Sequence, residues 1–190
     1  MLRRPIAVLG IVVLLVIAGF IIFNIPWGGS NETKQIVQEV KLVESAESDQ
    51  KVRMIQSGAI VANDEHREIW ITVGRYDVTF EAVKGYTRKI INSKKFSNTP
   101  ESYRAFLAAL TDLNFTKERI YKGTETELGS CPSGQRIIFD IFTPTEEVEH
   151  TWGTTCSSKI GNFGGEMGEV RSLFREQVPG YNELVADIDL

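Results

Sequence analysis

Cys131-Pro132-Ser133-Gly134-Gln135-Arg136-Ile137-Ile138-Phe139-Asp140-Ile141-Phe142-Thr143-Pro144-Thr145-Glu146-Glu147-Val148-Glu149-His150-Thr151-Trp152-Gly153-Thr154-Thr155-Cys156 reads as a β-hairpin closed at its open end by a disulfide. Ile137, Phe139 and Ile141 alternate on one strand, and Val148, His150 and Trp152 on the other. A turn in Thr143–Glu146 pairs residues whose numbers sum to about 289. Ile141 then faces Val148, Phe139 faces His150 and Ile137 faces Trp152, so both sets share one face. The same pairing carries Cys131 to within about one position of Cys156, inside the span a disulfide requires. Two free buried cysteines are the competing reading. Metal ligation is the poorer reading: the two thiols are far apart in sequence and, with only two histidines in the chain, do not look like a four-ligand site.

Working outward, the N-terminus is the next strong signal. Arg3 and Arg4 precede an apolar run, Ile6 to Phe23, and no charge follows until Glu32. That length spans a bilayer core, and the basic flank keeps the N-terminus in the cytoplasm. The expectation is a cytoplasmic stub at 1–5, a transmembrane signal anchor at 6–25, a linker or helical stalk at 26–50 and an extracytoplasmic domain at 51–190. A cleaved signal peptide competes, but its apolar core is usually shorter, and Asn24-Ile25-Pro26-Trp27 offers no convincing small-x-small site, with Gly28-Gly29-Ser30 only a weak one. An oxidising exterior suits the disulfide.

Taking Arg3 and Arg4 from the 21 Lys and Arg leaves 19 against 25 acids, a balance of −6 outside the membrane. That balance argues against a nucleic-acid binder, which would carry a basic face. The sequons Asn31-Glu32-Thr33 and Asn114-Phe115-Thr116 are too common by chance to carry weight.

Within 51–190, Val52–Ala62 has strand composition, with a kink at Gly58. Asn63–His66 reads as a turn with a solvated His66. Glu68–Val73 and Tyr76–Val83 alternate around Gly74-Arg75, a type II′ pair, which predicts Val73 opposite Tyr76, Ile71 opposite Val78 and Ile69 opposite Phe80. That register also sets Glu68 against Glu81. The three strands make an antiparallel meander. Thr99-Pro100-Glu101 starts a helix through Tyr103, Phe106, Leu107, Leu110 and Leu113, ended by Asn114. Phe115–Ser130 is loop with a short strand at Arg119–Tyr121. A second helix runs from Glu166 to Gln177, with Met167, Val170, Leu173 and Phe174 inward. Leu184-Val185 adds an edge strand. The fold class is α+β: one N-terminal transmembrane helix, then a single domain with an antiparallel sheet of about five strands and two main helices.

The residues that could carry chemistry are few. The glycines before the second helix match neither phosphate-binding spacing, and Glu166 and Glu169 repel an anion. His150 in an apolar strand reads as a satisfied core or edge residue. No serine stands in G-x-S-x-G. Asp187 and Asp189 sit in no calcium loop. No catalytic, cofactor-binding or metal residue is assigned, and no cofactor.

The segments Gly129-Ser130-Cys131-Pro132-Ser133-Gly134, Trp152-Gly153-Thr154-Thr155-Cys156, Phe163-Gly164-Gly165 and Leu173-Phe174-Arg175-Glu176-Gln177-Val178-Pro179-Gly180-Tyr181 resemble a group of membrane-anchored bacterial proteins. The resemblance covers most of the chain after the anchor. It implies an extracytoplasmic domain and brings no activity, ligand or partner.

These features point to a membrane-tethered binding or structural module outside the cytoplasm. Its partners would be the membrane and a protein of the cell envelope, not nucleic acid. A small envelope hydrolase with a site assembled in the fold is the alternative, as is an accessory factor of envelope assembly or secretion. Disulfide closure rigidifies two loops, and Asn162, Phe163, Gly164 and Gly165 form the candidate partner-binding loop. Phe163 there is either a contact residue or a plug beneath the sheet. If it is a plug, the open face of the sheet is the next candidate.

Overall fold

The computed structural model describes residues 42–190. The expected stub and anchor, and the linker up to residue 41, lie outside the described residues. Among the described residues no helix is long and apolar enough to cross a membrane.

After a 3-10 turn at Ser45–Glu47 come β1 (Lys51–Ser57), β2 (Arg67–Val73), β3 (Asp77–Lys84) and β4 (Lys89–Ser97). Helix α1 (Pro100–Asp112) follows, then β5 (Arg136–Phe142), β6 (Glu147–Thr154), α2 (Met167–Glu176) and a short α3 (Tyr181–Val185). The sheet has six strands in the order β4-β3-β2-β1-β5-β6, every pair antiparallel. The first four strands are a meander. The chain then crosses through α1 and a long connection to place β5 beside β1. The expected α+β class and meander are present, with one strand more than expected. That strand is β4: its Lys-rich sequence has no apolar alternation, because it is an exposed edge.

Both hairpin registers differ from the expected ones. Between β2 and β3 the pairs are Val73 with Val78, Ile71 with Phe80 and Ile69 with Ala82. Gly74 N–H donates to the Asp77 carbonyl at 2.9 Å, so the turn residues are Arg75 and Tyr76. Gly74 is not at positive φ, so a type II′ turn is excluded. A slip of two keeps every side chain on its face. It moves Glu68 away from Glu81 and frees Asp77 to bind Lys51 and Lys95 at 3.0 and 2.8 Å.

The β5–β6 change has larger consequences. Phe142 pairs with Glu147, as the sum of 289 requires, but Ile141 pairs with Glu149, Asp140 with His150 and Ile138 with Trp152. Val148 is therefore an extra residue, a bulge, and beyond it the sum is 290. A one-residue slip reverses the faces. Ile137, Phe139 and Ile141 enter the core, while His150 and Trp152 point to the other side, opposite Asp140 and Ile138. The expectation that both apolar sets share one face fails at this bulge.

The core lies between one face of the sheet and the helices. Thr99 Oγ1 accepts the Ser102 N–H and caps α1, as the sequence predicts. At the other end Asn114 takes φ 56°, and the N–H groups of Asn114 and Phe115 bind the carbonyls of Thr111 and Leu110. That is a Schellman closure. It aims Phe115 into a cluster with Phe139, Phe163 and Phe174. Tyr103, Phe106, Leu107 and Leu110 of α1 and Val170 and Phe174 of α2 complete the packing.

The tail is helical rather than an edge strand. Gly180 takes φ 68° and restarts a helix, and Tyr181, Leu184, Val185 and Ile188 lie against the core at helical spacing. The expected strand at Arg119–Tyr121 reduces to a single bridge, Glu118 with Phe163.

Candidate functional site

The face of the sheet opposite the helices carries alternate residues of each strand. Across its middle run Trp70, Ile55, Ile138 and Trp152, packed with Tyr121 from the α1–β5 connection. In the next row stand Thr72, Arg53, Asp140 and His150. The pleat of β1 and β5 brings Arg53 and Asp140 opposite one another. Arg53 Nε and Nη2 donate to Asp140 Oδ2 at 2.9 and 2.6 Å. His150 Nδ1 lies 2.8 Å from Asp140 Oδ1, and its Nε2 lies 2.6 Å from Glu127 Oε2. Glu147 Oε1 is 4.0 Å away.

Burial by itself would raise the Asp140 carboxyl, whose side chain is only 2 % exposed; hydrogen bonds from His150 and Arg53 outweigh it and hold the group below its ordinary value. His150 is driven the other way, up to about 10, by its bonds to Asp140 and then Glu127. At neutral pH the row is an alternating chain of Arg53⁺, Asp140⁻, His150⁺ and Glu127⁻.

This arrangement decides what the histidine can do. A general base must accept a proton at neutral pH. Both nitrogens of His150 already hold protons for carboxylates. Asp140, Glu147 and His150 also bring three ligand atoms within 4.8 Å of one another. A cation there would have to deprotonate His150 and compete with Arg53 for Asp140, so the donor set fits an ion-pair network better than a metal cage.

Beside this row, Arg53 lies over the Trp70 ring at 5.3 Å and over Phe142 at 5.0 Å, and Arg88 lies over Trp70 at 5.5 Å. Trp70 Nε1 donates to Glu68 Oε2 at 2.8 Å. The ring is thereby fixed in orientation yet remains only partly buried.

Ser57, His66 and Glu68 also meet, in the residue types of a nucleophilic triad. His66 Nε2 is 3.5 Å from Ser57 Oγ and 3.4 Å from Glu68 Oε1, while Nδ1 faces the Ala59 carbonyl at 3.1 Å. A working triad places acid and nucleophile on opposite ring nitrogens. Here both meet the same one. Arg136 Nη2 also donates to Ser57 Oγ at 2.9 Å, and the cluster is buried. It is a structural network. His66 is 1 % exposed, not the solvated turn residue expected, because Tyr86 from the β3–β4 hairpin stacks on it at 4.3 Å.

Cys131 and Cys156 form a disulfide, with Cα atoms 5.7 Å apart. In the candidate loop, Phe163 is 3 % exposed and packs on Phe139 with ring centroids 4.6 Å apart. Asn162 Oδ1 accepts the Trp152 N–H at 2.8 Å, and the Phe163 N–H reaches the Trp152 carbonyl at 3.0 Å, which covers the β6 edge at Trp152. Gly164 and Gly165 are pressed against the backbone at Lys117 and Asn114, where a Cβ would come within 2.7 and 2.5 Å. Of the glycines between Gly161 and Gly168, Gly161 alone takes positive φ. The loop thus directs its ring inward.

Sequence reasoning did not single out Arg53, Trp70, Glu127 or Asp140. A signal was present: Arg53 and Asp140 each interrupt an otherwise apolar strand, and charges so placed are usually partners. The resemblance stated above rests on the quoted segments, because no family model, curated protein or solved structure matches this chain.

Proposed function

We propose that this chain is a membrane-tethered binding module of the cell exterior that engages an envelope protein through the helix-free face of its sheet. The anchor at 6–25 holds it, and the domain from Lys51 onward presents the face. The observation that carries this reading is Trp70, only partly buried on this face and flanked by the guanidinium groups of Arg53 and Arg88. Trp and Arg are the residues that most often dominate protein interfaces. The Arg53–Asp140–His150–Glu127 row fixes their surroundings, so little ordering entropy would be lost on contact. The protonated, doubly bonded His150 favours binding over hydrolysis. A photocrosslinker at Thr79, on this face, should yield a discrete protein adduct in living cells, and one at Ser102, on α1, should not. Indistinguishable adducts at the two positions, or none at Thr79, would contradict the reading.

A further inference from the structure

We propose that the β4 edge of the sheet is a docking surface for a bilayer rich in anionic phospholipid. This goes beyond the binding reading and uses a different part of the molecule. Between Ala82 and Pro100 the chain carries Lys84, Arg88, Lys89, Lys94 and Lys95 and no acid, although its net charge is −4. Arg88 lies 3.9 Å from Glu68 and Lys95 lies 2.8 Å from Asp77. Lys84, Lys89 and Lys94 enter no ion pair among the described residues. Lys89, Lys94 and Lys95 lie on β4, whose residues are all exposed except the half-buried Phe96, while the half-buried Lys84 ends β3 and Arg88 sits in the turn between the two strands.

The apolar residues on the same edge complete the argument. Asn92 pairs with Ala82 and Ile90 with Val83, so Ile91 is an extra residue. This bulge leaves Ile90 and Ile91 side by side, 50 % and 48 % exposed. Lysines and a bulge on an edge strand also serve to block strand-to-strand aggregation. That role explains the lysines, but it gains nothing from two adjacent isoleucines in water. A bilayer surface uses both: headgroup phosphates take the lysines, and the boundary of the acyl region takes the isoleucines. A soluble anion would engage the lysines alone.

The hairpin is held for this task. Gly85 N–H binds the His66 carbonyl at 2.9 Å and Tyr86 N–H binds Asn63 Oδ1 at 2.8 Å. β4 lies three strands from β1, about 14 Å at the usual strand spacing. An edge-on pose would therefore keep the N-terminal entry to the domain near the same bilayer.

The test is hydrogen exchange on the full chain, in nanodiscs of phosphatidylcholine and in discs of phosphatidylcholine mixed equally with phosphatidylglycerol. Amides of residues 84–97 should slow by about tenfold in the anionic discs alone. The effect should vanish in Lys84→Gln/Lys89→Gln/Lys94→Gln and in Ile90→Ser/Ile91→Ser. Equal exchange in both discs would overturn the proposal. So would slowing by added polyglutamate in phosphatidylcholine discs that matches the anionic discs, which would assign the edge to an acidic protein. Loss in the lysine variant with full retention in the isoleucine variant would reduce it to an anion site and overturn the membrane pose.

Discussion

Asp140 faces His150 directly across the β5–β6 ladder, and the two side chains meet at 2.8 Å on the face of the sheet that no helix covers. The pair exists because Val148 bulges out of β6. Without that extra residue His150 would sit opposite Phe139 and point into the core, and the Arg53–Asp140–His150–Glu127 row could not form.

The row makes stability depend on pH in a stated direction. The His150 value is raised in the folded protein, so its contribution is complete below about 6.5 and is lost as pH rises through about 10. The Asp140 value is lowered, so its contribution is present above the ordinary carboxylate value of 3.8 and is lost as pH falls through its lower, folded value. Imidazole NMR shifts should show His150 still protonated at pH 8; a midpoint near 6.5 would contradict the geometry. Asp140→Asn should cost about 2–3 kcal/mol at pH 7 by chemical denaturation, since the partly exposed Arg53 and His150 regain some hydration.

The fold was legible where local chemistry decides it. Thr99-Pro100 and Asn114 bounded α1 correctly, and the cysteines paired across their hairpin. What was illegible depended on one residue more or less. The Val148 bulge has no composition signal, and it moves Trp152 and His150 between faces. The turn at Arg75-Tyr76 lost to Gly74-Arg75 because glycine is the stronger turn residue; the Lys51 and Lys95 contacts to Asp77 are long-range in sequence. His66 looked solvated because the tyrosine that buries it arrives from twenty residues later.

The disulfide closes a separation of 25 residues, which by loop-closure entropy contributes roughly 3–4 kcal/mol. Cys156→Ser should lower the melting temperature measured by calorimetry. An unchanged melting temperature would mean the loop is held by its other contacts.

Phe163 packs among Phe115 and Phe139, so Phe163→Ala should cost about 3–5 kcal/mol in urea denaturation. A cost below about 1 kcal/mol would return this loop to the list of contact surfaces.

The proposed tether has its own check. Protease added to intact spheroplasts should digest the domain, and alkaline carbonate should fail to extract the full chain. Complete protection from protease would place the domain on the wrong side for an envelope partner.

The most direct measurement of the central claim reads the photocrosslink from Thr79 in the presence and absence of a block on the same face. Thr72 and Thr79 are cross-strand neighbours beside Trp70, and both are half-buried. Thr72→Lys places a long charged chain over the face without touching the core. The account expects the discrete adduct to fall by about tenfold or more while the melting temperature stays within a few degrees. An adduct of undiminished yield from the Thr72→Lys chain would contradict it.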